Sequence, residues 1–153
     1  MSVQAKAIFC SGLLIAAICG CRGQTPEQPK ADSQGRVPAD VVLAAFQKAI
    51  NGDFEGANEF TTEAFAKVER ESRQSTHPVI QMRAWPFRIR GISDPAIDVK
   101  IGKSQVHPSG FVIVFVSTPT SKENESDMYD VVMRDGKWKI GWRTGEIDDP
   151  VVN

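Results

Sequence analysis

The residues able to do chemistry are few, and their placement narrows the choices. All three cysteines, Cys10, Cys19 and Cys21, fall within the first 21 residues. Beyond Cys21 no thiol remains for a disulfide, a nucleophile or a thiolate metal site. The only two histidines, His77 and His107, each precede a proline, a setting that favours extended or turn backbone. They form no spaced ligand pair and no carboxylate pattern accompanies them, so they read as surface loop residues, and neither a metal nor a cofactor is expected. Serines such as Ser117 and Ser121 lie outside any Gly-x-Ser-x-Gly elbow, and no glycine-rich phosphate loop is present. Tyr129 and Asp98 are the residues best suited to acid–base work, but Tyr129 is expected on a core face and Asp98 facing water. Asp130 and Lys139 read as a solvated outer pair. Arg83, Trp85, Phe87, Arg88 and Arg90 interleave in MRAWPFRIR, a composition met at interface anchors and anionic surfaces. The plainer reading is a connecting segment whose aromatics cover a sheet while its arginines meet water.

The cysteines make most sense as an address. Lys6 precedes the apolar run Ala7 to Ile18, AIFCSGLLIAAI. As a helix that run reaches ~18 Å, short of the ~30 Å hydrocarbon core of a bilayer, which favours a cleaved signal over a spanning helix. It ends Ile18-Cys19-Gly20-Cys21, which resembles the bacterial lipobox. The resemblance implies diacylglycerol on the Cys21 sulfur, with palmitate-type acyl chains, and cleavage after Gly20. Residues 1–20 are then a signal peptide and the membrane is a partner through that lipid. Cys19 fits worse, with Ala16 where a larger aliphatic residue is wanted and Ile18 where a small one is. Arg22 rather than aspartate after the cysteine favours the outer membrane in a two-membrane cell.

Charge and composition bound the rest. Charged residues make up 24% and hydrophobic ones 41% of 153 residues, a globular balance for one domain with appendages. Residues 1–20 hold one of the 18 basic residues and none of the 19 acidic ones, leaving 17 against 19. Such a chain has no long-range attraction for nucleic acid. Residues 21–36, CRGQTPEQPKADSQGR, have no large apolar side chain and read as a flexible tether of roughly 20 Å mean reach. The folded domain is expected over 37–147, with 148–153 as a tail.

Three helices are expected first. Pro38 can open one whose face is Val42, Ala45, Phe46, Ala49 and Ile50, Asn51-Gly52 stops it, and Asp53 can cap the next. Short helices are placed near 54–60 and 62–72, closed by the polar run Glu69 to Ser75. Strands follow: Ile97, Val99 and Ile101 alternate with polar residues, FVIVFV from Phe111 is apolar on both faces and central, and Pro119 to Ser126 is a loop. Asp127 to Arg134 and Lys137 to Arg143 form a hairpin around Asp135-Gly136. In that register Arg134 faces Lys137, Met133 faces Trp138, Val131 faces Ile140 and Tyr129 faces Trp142. Tyr129, Val131, Met133, Trp138, Ile140 and Trp142 share one face. Asp130, Val132, Arg134, Lys137, Lys139 and Gly141 share the other.

Helices before strands imply an α+β domain, its helices packed on a curved antiparallel sheet of about four strands. VPADVVLAAFQKAINGDFEGANEF resembles the opening helices of nuclear transport factor 2-like domains, and RDGKWKIGW resembles their last hairpin. The resemblance spans most of 37–143, its motifs are short, and residues 76–92 fit it least. It implies a cone-like roll that often leaves a pocket, here lined by Tyr129, Trp138 and Trp142. It implies no single activity. The leading expectation is a non-catalytic envelope module binding a protein or small molecule on the concave face of its sheet. The alternative is a small pocket enzyme of the isomerase or dehydratase kind.

Overall fold

A computed structural model of the chain describes residues 28–121 and 126–143, without the side chains of Trp142 and Arg143. The expected signal peptide, Cys10, Cys19, Cys21 and the 148–153 tail lie outside the described residues.

Helix α1 (Pro38–Ile50) starts at its proline, and the Asp40 carboxylate accepts from the Val37 N–H at 3.3 Å. It ends in a Schellman motif. The Gly52 N–H donates to the Ala49 carbonyl at 2.9 Å and the Asp53 N–H to that of Lys48 at 3.0 Å, with Gly52 at φ 78°. Asp53 then caps α2 (Phe54–Asn58), accepting from the Gly56 N–H at 2.9 Å. Helix α3 (Glu63–Gln74) is capped by Thr62. Three one-turn helices follow, α4 (Pro78–Gln81), α5 (Trp85–Arg88) and α6 (Pro95–Asp98), each with proline at its first or second position. There the missing N–H costs nothing and φ is pre-set.

The strands are β1 (Lys100–Ile101), β2 (Gln105–Val106), β3 (Val112–Ser117), β4 (Asp127–Arg134) and β5 (Lys137–Arg143). All pairings among them are antiparallel. β1 and β2 pair with opposite ends of β3, so they act as one edge strand broken at residues 102–104. β3 and β4 are central and β5 is the other edge. The domain is therefore α+β, with helices against a curled antiparallel sheet about four strands wide. Helix α1 contacts β3 and β5, and Val41, Val42, Ala45, Phe46 and Ala49 pack against Val112, Val114, Val116, Tyr129, Val131 and Ile140 in one core.

The hairpin is formed as its sequence specifies over its first half. Asp135 and Gly136 adopt φ 49° and 73°, the double positive φ of a tight two-residue turn, and Arg134–Lys137, Met133–Trp138 and Val131–Ile140 are partners. Further on the ladder shifts by one residue, and Tyr129 pairs with Arg143 rather than Trp142. Gly141 and Trp142 together oppose Asp130, a β-bulge. The expected segregation of faces also fails at two points: Met133 is exposed and Val132 is buried.

Other expectations are corrected. Ile97 and Asp98 lie in α6 rather than in a strand. Asp94 caps α6 through the Ala96 N–H at 2.9 Å, and Pro95 fixes its first turn, so strand pairing begins only at Lys100. The tether is shorter than composition implied. From Lys30 the chain is docked on the hairpin: the Trp138 indole N–H donates to the Lys30 carbonyl at 2.9 Å, and the Ser33 N–H to that of Gly136 at 2.8 Å. Asp32 organises this strap. Its carboxylate accepts from the backbone N–H groups of Gln34 and Arg36, both at 2.9 Å, and of Trp138 at 3.2 Å. Further along β5, the Thr62 N–H donates to the Ile140 carbonyl and the Ile140 N–H to that of Phe60, both at 2.8 Å.

Burial alone would raise the Asp32 pKa, but the three backbone donors and the Arg36 guanidinium outweigh it and hold it below the ordinary 3.8. A carboxyl whose folded pKa is depressed contributes stability that is full above its unfolded pKa. That contribution is lost as pH falls through the folded value. Denaturation followed across acid pH should show this loss in the wild type and a flatter curve in Asp32→Asn. Gly136→Ala should cost about 1 kcal/mol from backbone strain alone, because the added Cβ meets only Ser33 atoms at 3.6 and 3.7 Å, an ordinary contact. Equilibrium unfolding in urea measures it.

Candidate functional site

The segment that sequence reasoning left unplaced, residues 76–92, carries the most unusual arrangement. It is fixed by a carboxylate that the helical pattern hides. Phe65, Ala66, Glu69 and Ser72 form the buried stripe of α3, with Glu69 only 1% exposed. A carboxylate there needs donors in place of water. It has two, Asn58 Nδ2 at 2.9 Å from α2 and the Trp85 backbone N–H at 3.3 Å, and Arg73 Nε one turn on adds an ion pair at 3.4 Å. Asn58 is doubly used, since its Oδ1 accepts from the Trp85 indole N–H at 2.9 Å. Arg73 also reaches the Glu55 carboxylate at 2.6 Å, and Arg70 the other Glu55 oxygen at 2.8 Å. The Arg70 and Arg73 hydrogen bonds hold the Glu55 pKa below its ordinary value.

Trp85 is thereby driven into the core. It meets Phe46 edge-on at 5.7 Å and Phe65 at 5.8 Å, and Phe46 in turn meets Tyr129 edge-on at 5.9 Å. Arg88 follows it inward and is 6% exposed. Its Nε donates to the Arg83 carbonyl at 3.0 Å, its Nη1 lies 3.5 Å from the Tyr129 hydroxyl, and its guanidinium covers the rings of Phe65 at 5.1 Å and Tyr129 at 5.8 Å. Desolvated contacts of this kind are among the stronger cation–π pairs.

Of the five residues expected to form an interface, Trp85 and Arg88 are therefore buried. Arg83 is half-buried, while Phe87 and Arg90 are exposed. The connecting-segment reading is reversed in one respect, since an arginine packs inward while Phe87 points out. Sequence alone also missed the exposed apolar neighbours: Val79 is 62% exposed, Met82 46%, Ile80 41% and Phe87 40%. Glu69 was legible in principle, since it stands four residues after Phe65 on the apolar stripe.

The other candidates are dispersed. Tyr129 and Trp138 are buried among the core residues, with Tyr129 against Phe46 and the Trp138 indole tied to the Lys30 carbonyl. Trp142 lies on β5 with its side chain outside the described residues. Asp98 Oδ2 accepts from the N–H groups of Asp94 and Ser93, which hold its pKa low. That makes it a local cap and a poor proton donor. His77 begins α4, while His107 stacks on Phe111 at 4.2 Å and accepts the Ser109 N–H on Nδ1. Among the described residues no three potential metal ligands cluster. Ser117 faces Ser126 at 2.9 Å, and Ser121 accepts the Thr118 N–H at 3.0 Å. Lys139 is not simply solvated, since it donates to the Glu59 carbonyl, and desolvation with Lys137 and Arg36 lowers its pKa. No helix among the described residues is long and apolar enough to cross a membrane.

Compared with protein-family models, curated proteins and solved structures, the chain matches none.

What the arrangement does chemically is hold rather than react: Glu69, Asn58 and Trp85 satisfy one another. Glu69→Ala should cost about 2–4 kcal/mol, because it strands the buried Asn58 amide and Trp85 backbone donors. Trp85→Phe, which removes only the indole donor and some packing, should cost about half as much. Urea unfolding of both variants reads the difference.

Proposed function

We propose that this chain is a lipid-anchored protein of the bacterial cell envelope that works by binding and not by catalysis. The anchor is diacylglycerol on Cys21 after removal of residues 1–20, and Arg22 favours the outer membrane where there are two. The lipobox-like Ile18-Cys19-Gly20-Cys21 supports the address. The observation that carries the binding role is the 78–90 segment, whose Trp85 and Arg88 are locked inside while Val79, Ile80, Met82 and Phe87 are left at the surface. Four of the seven large apolar side chains exposed among the described residues fall within positions 79–87, the others being Ile97, Val106 and Met133, and clustered apolar surface marks interaction sites.

The concave face of the sheet was the expected binding surface. With α1 packed on it, a ligand there would have to displace Phe46 from Tyr129 and Trp85, so the reading moves to the outer segment. An α+β roll with a curled sheet agrees with the nuclear transport factor 2-like resemblance, and we retain that fold family as part of the proposal. The enzyme alternative would need substrate to reach Glu69, Arg88 or Tyr129, each nearly enclosed and already bonded within the protein.

Mass spectrometry of protein isolated from its own cells should find a chain beginning at Cys21 and heavier by a diacylglycerol group. It should partition into detergent. A mature chain with a bare Cys21 thiol would remove the anchor from the reading.

A further inference from the structure

Charge is unevenly spread around the exposed apolar segment. Between Glu71 and Asp94 the chain has no acidic residue and four arginines, although acids slightly outnumber bases overall. Two of the four are spoken for inside the fold, Arg73 by Glu55 and Glu69 and Arg88 by Tyr129 and two rings. Arg83 and Arg90 enter no salt bridge among the described residues. In sequence Arg83 follows Met82 directly and Arg90 stands three residues after Phe87, so both fall within or beside the stretch that exposes Val79, Ile80, Met82 and Phe87. Apolar side chains bordered by unpaired arginines, on short helices lying on the body of the domain, match a membrane–water boundary with anionic headgroups.

Tether length points the same way. Among the described residues the contact with the hairpin starts at Lys30, nine peptide steps after Cys21, and nine steps span at most ~32 Å. The strap is held at the hairpin turn, whereas Arg88 meets Tyr129 five residues back along β4, ~17 Å away. A leash of that length lets a domain anchored at Cys21 lie on the bilayer through this segment. We propose that α4, α5 and the turn between them form a contact surface for an anionic lipid bilayer, with Val79, Ile80, Met82 and Phe87 entering the headgroup region and Arg83 and Arg90 meeting phosphates. This rests on the lipid-anchor reading for how the protein reaches the membrane.

Backbone hydrogen exchange on the full mature protein, purified from its own cells, tests it, with the acyl state of Cys21 read by mass on the same sample. In vesicles of phosphatidylethanolamine with phosphatidylglycerol, residues 78–90 should become protected, and in pure phosphatidylcholine they should not. Ile80→Asp should weaken contact about tenfold. Arg83→Gln and Arg90→Gln should each weaken it about fivefold, in the anionic vesicles only. All three sites reach solvent, and an unchanged melting temperature confirms that the variants fold. Val79→Asp, at the most exposed of these four apolar positions, is the check if Ile80→Asp does not fold. Acylated protein without protection at 78–90, or with equal protection in both lipids, overturns the surface and leaves the anchor standing. Protection that needs other envelope proteins also overturns it, in favour of a protein interface. If Cys21 is bare, the anchor fails, and protection by added anionic vesicles still decides the surface.

Discussion

Burial of the Glu69 carboxylate is the constraint from which the helical half of the molecule takes its form. An ion without water must be given donors by the protein, and each donor it receives comes at a fixed direction. The Asn58 amide, the Trp85 backbone N–H and the Arg73 guanidinium converge on Glu69 from α2, from the start of α5 and from α3 itself. Three elements with little contact otherwise are thereby set in one geometry. Apolar packing alone would place Trp85 between Phe46 and Phe65 only approximately, since hydrophobic attraction has no direction. The paired hydrogen bonds through Asn58 determine which way the indole faces.

That arrangement explains how a segment of two single-turn helices holds its shape while leaving so much apolar surface outside. Isolated turns of four residues are not stable in water. Here Ala84, Trp85, Arg88 and, in part, Ile89 are tied inward, and their neighbours Val79, Ile80, Met82 and Phe87 are carried outward as a consequence. Rigid support beneath an exposed apolar surface lowers the entropy lost when that surface meets a partner.

How far sequence led depended on whether the deciding interaction was local. The β4–β5 turn, the start and stop of α1 and the cap of α2 each rest on residues within a few positions of one another, and all formed as read. The apparent strand at Ile97 to Ile101 failed because alternation competed with the Asp94-Pro95 start of a helical turn, and local capping prevailed. The tether was overestimated because Asp32 acts through Trp138, 106 residues away. Glu69 and Arg88 were misjudged for a related reason. Charged residue types signal surface unless their partners are known, and those partners lie on other elements. The bulge opposite Asp130 displaced Trp142 from Tyr129, which no turn type or alternation foretells.

The two borders of the sheet are finished differently. Along β5, the strap around Asp32 and the pairing of Phe60 and Thr62 with Ile140 occupy backbone groups that would otherwise face outward. On the opposite border, the break at residues 102–104 leaves only two-residue strands, with Lys100 and Lys103 beside them. Among the described residues neither border offers a long, flat row of free amides on which a neighbouring copy could zip. Molecules crowded together on a surface would therefore resist coalescing into continuous cross-molecule sheets, and could stay individually folded at high density.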